Sequence, residues 1–310
     1  MRMGADPPWL AANTPRARSE PAEGDITAFA FEGGGSYGAA QVGMLYALVE
    51  AGIVPDLVVG TSVGAMNGAM FASRVDGRRA VTDLEHMWRR IRRRDVLPLR
   101  PVGAVRAVLG RRAGLVPHDG LGLLIDRWLP VERLEQLVIP FAAVATDIVT
   151  GEPVVLREGH ARTALLASGA IPGLYAPVCV DGRELVDGGV VANFPVDVAA
   201  RLGANHIYAL PTAVSAPSRL SGPFALVQRA SDVLITRASR NALEATASAA
   251  TVSELPAPVT ERSMFDFHGT SELMDAGYEQ ARRWLEGLPV TASGRTRSAR
   301  SDVAQSLAWG

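Results

Sequence analysis

Apolar residues in this chain fall into short runs between glycine- and proline-rich breaks, and the period of each run predicts an element. Ile26 to Phe31 and Leu57 to Val59 are nearly continuous apolar runs, the pattern of strands buried on both faces. Between them Val42, Leu45, Tyr46 and Val49 share one stripe of a helix from about Ala39 to Ala51, closed by Gly52. Val63 to Ser73 reads as a helix following directly on the second strand. Phe141 to Ala145 and Pro153 to Leu156 predict paired strands around a turn from Asp147 to Gly151. Val178 to Val180 and Glu184 to Val186 predict a hairpin across Asp181-Gly182. An alanine-rich helix, Val196 to Leu202, precedes a strand at His206 to Leu210. In Ser271 to Leu285, residues Leu273, Met274, Gly277, Tyr278, Ala281, Trp284 and Leu285 recur at helical spacing. Strands alternating with helices predict an α/β fold whose mostly parallel sheet is covered on both faces. No internal repeat is visible.

At 310 residues the chain can bury a full core. The expected organisation is a flexible leader over 1–24, one domain over 25–289 and a flexible Ser/Arg-rich tail over 290–310. Within the domain, 26–210 carries the motifs and 221–287 is expected to be helical. The formal net charge of −1 gives no reason to expect nucleic acid as a partner. Cys179 is the single cysteine, which excludes an intramolecular disulfide and a cysteine-built zinc cluster; a small apolar filler on a strand is its expected role. No run approaches the ~18 apolar residues of a membrane span, and Pro7, Pro8, Pro15 and Pro21 stand where a signal core would be. A cytoplasmic location follows as the expectation, with peripheral membrane contact as an extension of it.

Three motifs bring chemistry into this frame. Gly60-Thr61-Ser62-Val63-Gly64 sits between a strand and a helix, the arrangement that holds a nucleophilic serine on a strained turn. Gly33-Gly34-Gly35-Ser36-Tyr37-Gly38 follows the first strand, and glycines there leave backbone N–H groups free to receive an oxyanion. Asp187-Gly188-Gly189 ends a strand and offers a carboxylate with little steric cover. A carboxylate base needs partial desolvation, because its ordinary pKa of ~3.9 lies too low for efficient proton transfer. None of His86, His118, His160, His206 and His268 lies in a catalytic motif.

Each motif has a plainer reading. A serine before a helix is often only a cap, and Asp-Gly is a common turn dipeptide, as at Asp181-Gly182. Gly33-x-Gly35-x-x-Gly38 also satisfies the dinucleotide pattern, but the second strand ends in Gly60-Thr61-Ser62 where that reading wants an acidic residue. A P-loop is excluded because the chain has no lysine.

Taken in order, with Ala167-Ser168-Gly169-Ala170-Ile171-Pro172 and Asn193-Phe194-Pro195, the motifs resemble those of patatin-like serine lipid acyl hydrolases from Ile26 to about Leu210. The resemblance implies a three-layer α/β/α hydrolase with a mostly parallel central sheet and no cofactor. It places the nucleophile at Ser62, the base at Asp187 and the oxyanion loop at Gly33, Gly34 and Gly35, with a lipid ester such as a phospholipid as substrate. A lipid acyltransferase using the same acyl-enzyme, or a lipid-binding protein with a weakened site, are the other readings. The chain departs from the family at Tyr37, where an arginine or lysine is usual, and this puts rate and substrate preference in question.

Ser168 is expected to help end a helix near the site and Asp147 to shape a turn. From Arg89 to Arg112, nine arginines alternate with apolar residues such as Leu97, Leu99 and Val105. Such a segment suits an anionic membrane surface or a lid over a lipid site; a solvated helix face is the simpler reading.

Overall fold

The structure, a computed structural model, describes residues 24–98, 114–215 and 223–287. Its strands are β1 (Thr27–Phe31), β2 (Leu57–Thr61), β3 (Phe141–Asp147), β4 (Pro153–Leu156), β5 (Val178–Val180), β6 (Arg183–Asp187), β7 (His206–Leu210), β8 (Val214–Ser215), β9 (Thr251–Glu254) and β10 (Val259–Thr260). The helices are α1 (Ala39–Glu50), α2 (Val63–Ala72), α3 (Gly77–Trp88), α4 (Arg93–Val96), α5 (Asp119–Trp128), α6 (Ala161–Ser168), α7 (Val196–Arg201), α8 (Pro223–Thr246) and α9 (Thr270–Gly287). The main sheet runs β5-β6-β3-β2-β1-β7-β9, with β4 also on β3. Strands β3, β2, β1, β7 and β9 pair in parallel; β4 and β6 pair antiparallel with β3, and β5 antiparallel with β6.

Alternation along each central strand feeds two separate cores. Phe29, Phe31, Val58, Phe141 and Ala143 point into the face covered by α1, α2, α3 and α9. Ala28, Ala30, Leu57, Val59, Ala142 and Val144 point the other way, against Phe194, Val196, Val198 and Ala199 at α7 and Ala242 and Leu243 of α8. Both faces are buried, which is why these strands read as apolar runs. The result is the expected three-layer α/β/α arrangement with a mostly parallel sheet.

On the first face α1 and α9 cross at backbone contact. A Cβ on Gly43 would stand 1.9 Å from the Met274 carbonyl oxygen, and one on Gly277 2.2 Å from that of Ala40. Both glycines are therefore required by packing.

The structure corrects some expectations. Cys179 lies exposed on β5, the strand at the edge of the sheet, so it fills no core. The segment expected to be helical over 221–287 also contributes β9 and β10. Asp147 does shape a turn, its Oδ1 accepting from the Val149 and Thr150 amides. The expected flexible tail, the leader up to residue 23 and the arginines at 100, 106, 111 and 112 lie outside the described residues.

Candidate active site

The site forms at a discontinuity in the sheet. On one side of β3, Ala143 and Val144 pair with Gly60 and Thr61 of β2; the next residues, Ala145 and Thr146, pair with Asp187 and Val186 of β6. Strand β4 occupies the opposite side of β3 throughout, so β6 lies on the same side as β2 and continues where β2 stops. The two strands meet end to end, and their C-terminal residues bring Ser62 and Asp187 together.

Ser62 takes φ 55° and ψ −124°, in the left-handed region that costs a residue with a side chain about 1–3 kcal/mol. The strain is held by close packing. An added Cβ at Gly60 would lie 2.4 Å from the Gly64 carbonyl oxygen, and one at Gly64 2.5 Å from that of Phe31. This is the nucleophile-elbow geometry expected from the sequence.

The Ser62 hydroxyl donates to Asp187 Oδ2 at 2.7 Å. Asp187 is 6% exposed, and its Oδ1 accepts from the Gly189 amide at 2.7 Å. Burial pushes its pKa up to about 6, against the opposing pull of the Ser62 and Gly189 hydrogen bonds. Among the described residues no histidine contacts either group: His118 bonds the Ala176 carbonyl, His206 pairs with Asp25 and His268 with Asp266.

The glycine loop passes beside Ser62, since a Cβ on Gly33 would stand 3.2 Å from the serine's Cβ. The three loop amides are not equivalent. Gly33 N–H donates to the Asn193 carbonyl at 3.0 Å, which removes it as an oxyanion donor. Gly34 and Gly35 N–H have no protein acceptor among the described residues. Of the three loop amides expected to face an oxyanion, Gly33 is thus engaged by backbone, and Gly34 and Gly35 are not.

Several supports were invisible in the motifs. Ser168, expected only to end a helix, is fully buried; its hydroxyl accepts from Ser62 N–H at 2.9 Å and donates to the Val144 carbonyl at 2.6 Å. It thereby fixes the elbow to β3. Glu32, next to the glycine loop, accepts from the Asn193 side chain, the Thr212 amide and the Ser239 hydroxyl. Burial and the neighbouring Glu254 carboxylate push its pKa up to about 7, while those hydrogen bonds act in the opposite sense. Glu32 joins the loop, the segment after Asp187 and α8.

An apolar cavity opens at Ser62 and is walled by Met66 from α2, Trp88 from α3, Leu124 from α5, Leu165 from α6, and Met264 and Phe265 from the C-terminal part. Among the described residues no cluster of three His, Cys, Asp or Glu side chains is placed to hold a metal.

A family model for patatin-like phospholipases matches residues 29–200, the span that contains the glycine loop, the elbow and the aspartate. The chain belongs to the patatin-like phospholipase family. It is 31% identical over 196 residues to patatin-like phospholipase domain-containing protein 7 of Rattus norvegicus, covering 60% of this chain and 14% of that protein. It is 34% identical over 184 residues to neuropathy target esterase sws of Drosophila melanogaster, covering 57% of this chain and 12% of that protein. An uncharacterized NTE family protein of Mycobacterium bovis is 34% identical over 196 residues, covering 63% of this chain and 50% of its own. The patatin-like chain thus matches between 12% and 50% of the length of these relatives. Among solved structures, VipD of Legionella pneumophila aligns at TM-score 0.48 and 15% identity, covering 86% of this chain and 67% of that one.

Proposed function

We propose that this patatin-like domain, read as one unit over 25–289, hydrolyses carboxylic esters of lipids through a Ser62–Asp187 dyad. The observation that carries the reading is the 2.7 Å hydrogen bond from a strained serine hydroxyl to a buried carboxylate. Asp187 takes the hydroxyl proton as Ser62 Oγ attacks the ester carbonyl. Gly34 and Gly35 N–H receive the oxyanion, each donor contributing roughly 10²–10³ in rate. The alcohol leaves with the proton held by Asp187. Water then attacks the acyl-enzyme, giving its proton to Asp187, and free fatty acid departs as the serine is restored. The apolar cavity suits a fatty acyl chain and a phospholipid or lysophospholipid ester is the substrate class favoured by family membership.

Ser62→Ala and Asp187→Asn are each expected to lower ester hydrolysis by about 10³-fold or more with thermal stability retained. A fluorophosphonate probe should label the wild type and not Ser62→Ala. Labelling without turnover of any phospholipid or neutral-lipid ester would favour lipid binding at a weakened site. Acyl transfer to an added alcohol exceeding fatty acid release would favour an acyltransferase.

A further inference from the structure

The segment between β10 and α9 lies against the glycine loop and closes the cavity. Ser36 N–H donates to the Met264 carbonyl at 2.8 Å, and the Ser36 hydroxyl donates to that of Ser263 at 3.3 Å. The Tyr37 hydroxyl donates to the Arg262 carbonyl at 2.5 Å. Gly35 packs so tightly here that a Cβ would stand 2.6 Å from the Met264 carbonyl oxygen.

The segment is also braced within itself. Arg262 pairs with Asp266 at 3.2 Å and with Glu272 at 2.9 Å. The Asp266 amide donates to the Ser263 carbonyl at 2.8 Å, and Phe267 stacks on Trp88 with ring centroids 6.3 Å apart. Its inward side chains, Met264, Phe265 and Phe267, line the same cavity as Ser62. The segment itself lies beyond residue 200, where the family match ends.

We propose that Arg262–Phe267 is a wall that sets the length of acyl group accepted, and that Tyr37 determines specificity by pinning the wall to the oxyanion loop. The inference rests on the reading of Ser62 as the acylated nucleophile. At Tyr37 this chain places a neutral hydroxyl that satisfies a backbone carbonyl of the wall. Burial raises the tyrosine pKa, so the hydroxyl keeps its proton as a donor. Met264 has a flexible, unbranched side chain and Phe265 a rigid one, so truncating the first deepens the cavity and enlarging the second shortens it.

The test is the ratio of kcat/KM for dodecanoyl over butyryl p-nitrophenyl ester in the full chain. Met264→Ala should raise this ratio, each newly accommodated methylene contributing about fourfold. Phe265→Trp should lower it, which separates a change of wall from a general loss of fold. Tyr37→Phe removes the pinning hydrogen bond together with the hydroxyl's bond to Ser215 and should move the ratio in the same direction as Met264→Ala by about threefold or more. Ratios within twofold of wild type in all three variants, with the esters still hydrolysed, would overturn the wall and leave the hydrolase reading intact. A wild type that hydrolyses none of the esters and takes no fluorophosphonate label would overturn the hydrolase reading and this inference together.

Discussion

A carboxylate in water gives up its proton near pH ~4 and holds a serine proton poorly. Asp187 escapes that limit by burial, which pushes its pKa up to about 6. In the proposed mechanism the ionised form is the base, and its fraction grows as pH rises. The kcat/KM for ester hydrolysis should therefore climb tenfold per pH unit below about 6 and level off above it. A steady-state pH profile checks this; a plateau extending down to pH 4 would contradict it. Ser62 and Asp187 were legible in the sequence because glycines on their flanks mark where backbone must approach backbone. At Gly33 the missing Cβ admits the Asn193 side chain, whose Oδ1 would stand 2.6 Å from one, a closeness set by a residue 160 positions away. Ser168 and Glu32 were not legible as supports. Their partners stand far along the chain, 106 positions for Ser168 and Ser62 and 207 for Glu32 and Ser239.

The strands whose two faces are both buried were readable from composition alone, and β7 matches its expected span of His206 to Leu210. Strand β9 was not, because four residues, Thr251–Glu254, become a strand only by pairing with β7. Helix α3 carries a legible start in Asp76, whose side chain accepts from the Arg78 and Arg79 amides, and an apolar stripe from Ala80 to Met87. Gly277 was placed on the buried stripe of α9 by its spacing, while its contact with the Ala40 backbone needed the crossing geometry. Gly277→Ala should destabilise the fold by about 1–3 kcal/mol through overpacking, against little change for Asp275→Ala on the exposed side of the same helix. Denaturant titration of both variants checks the difference.

No helix among the described residues is long and apolar enough to cross a membrane. Arg90, Arg92, Arg93 and Arg94 are exposed, and the neighbouring Ile91, Val96 and Leu97 line the cavity that opens at Ser62. Replacing Arg92, Arg93 and Arg94 with glutamine should weaken co-sedimentation with anionic vesicles and leave neutral vesicles unaffected; unchanged anionic binding would reject a basic rim. Arg89 is expected to contribute less, since Glu85 holds it at 2.7 Å. The end-to-end meeting of β2 and β6 has a further bearing, on how the molecule is born. Its two reactive groups are separated by 125 positions, so the ribosome delivers the second roughly 6–25 seconds after the first, at about 5–20 residues per second. On the proposed reading, the growing polypeptide carries Ser62 without its proton acceptor throughout that interval and hydrolyses no ester.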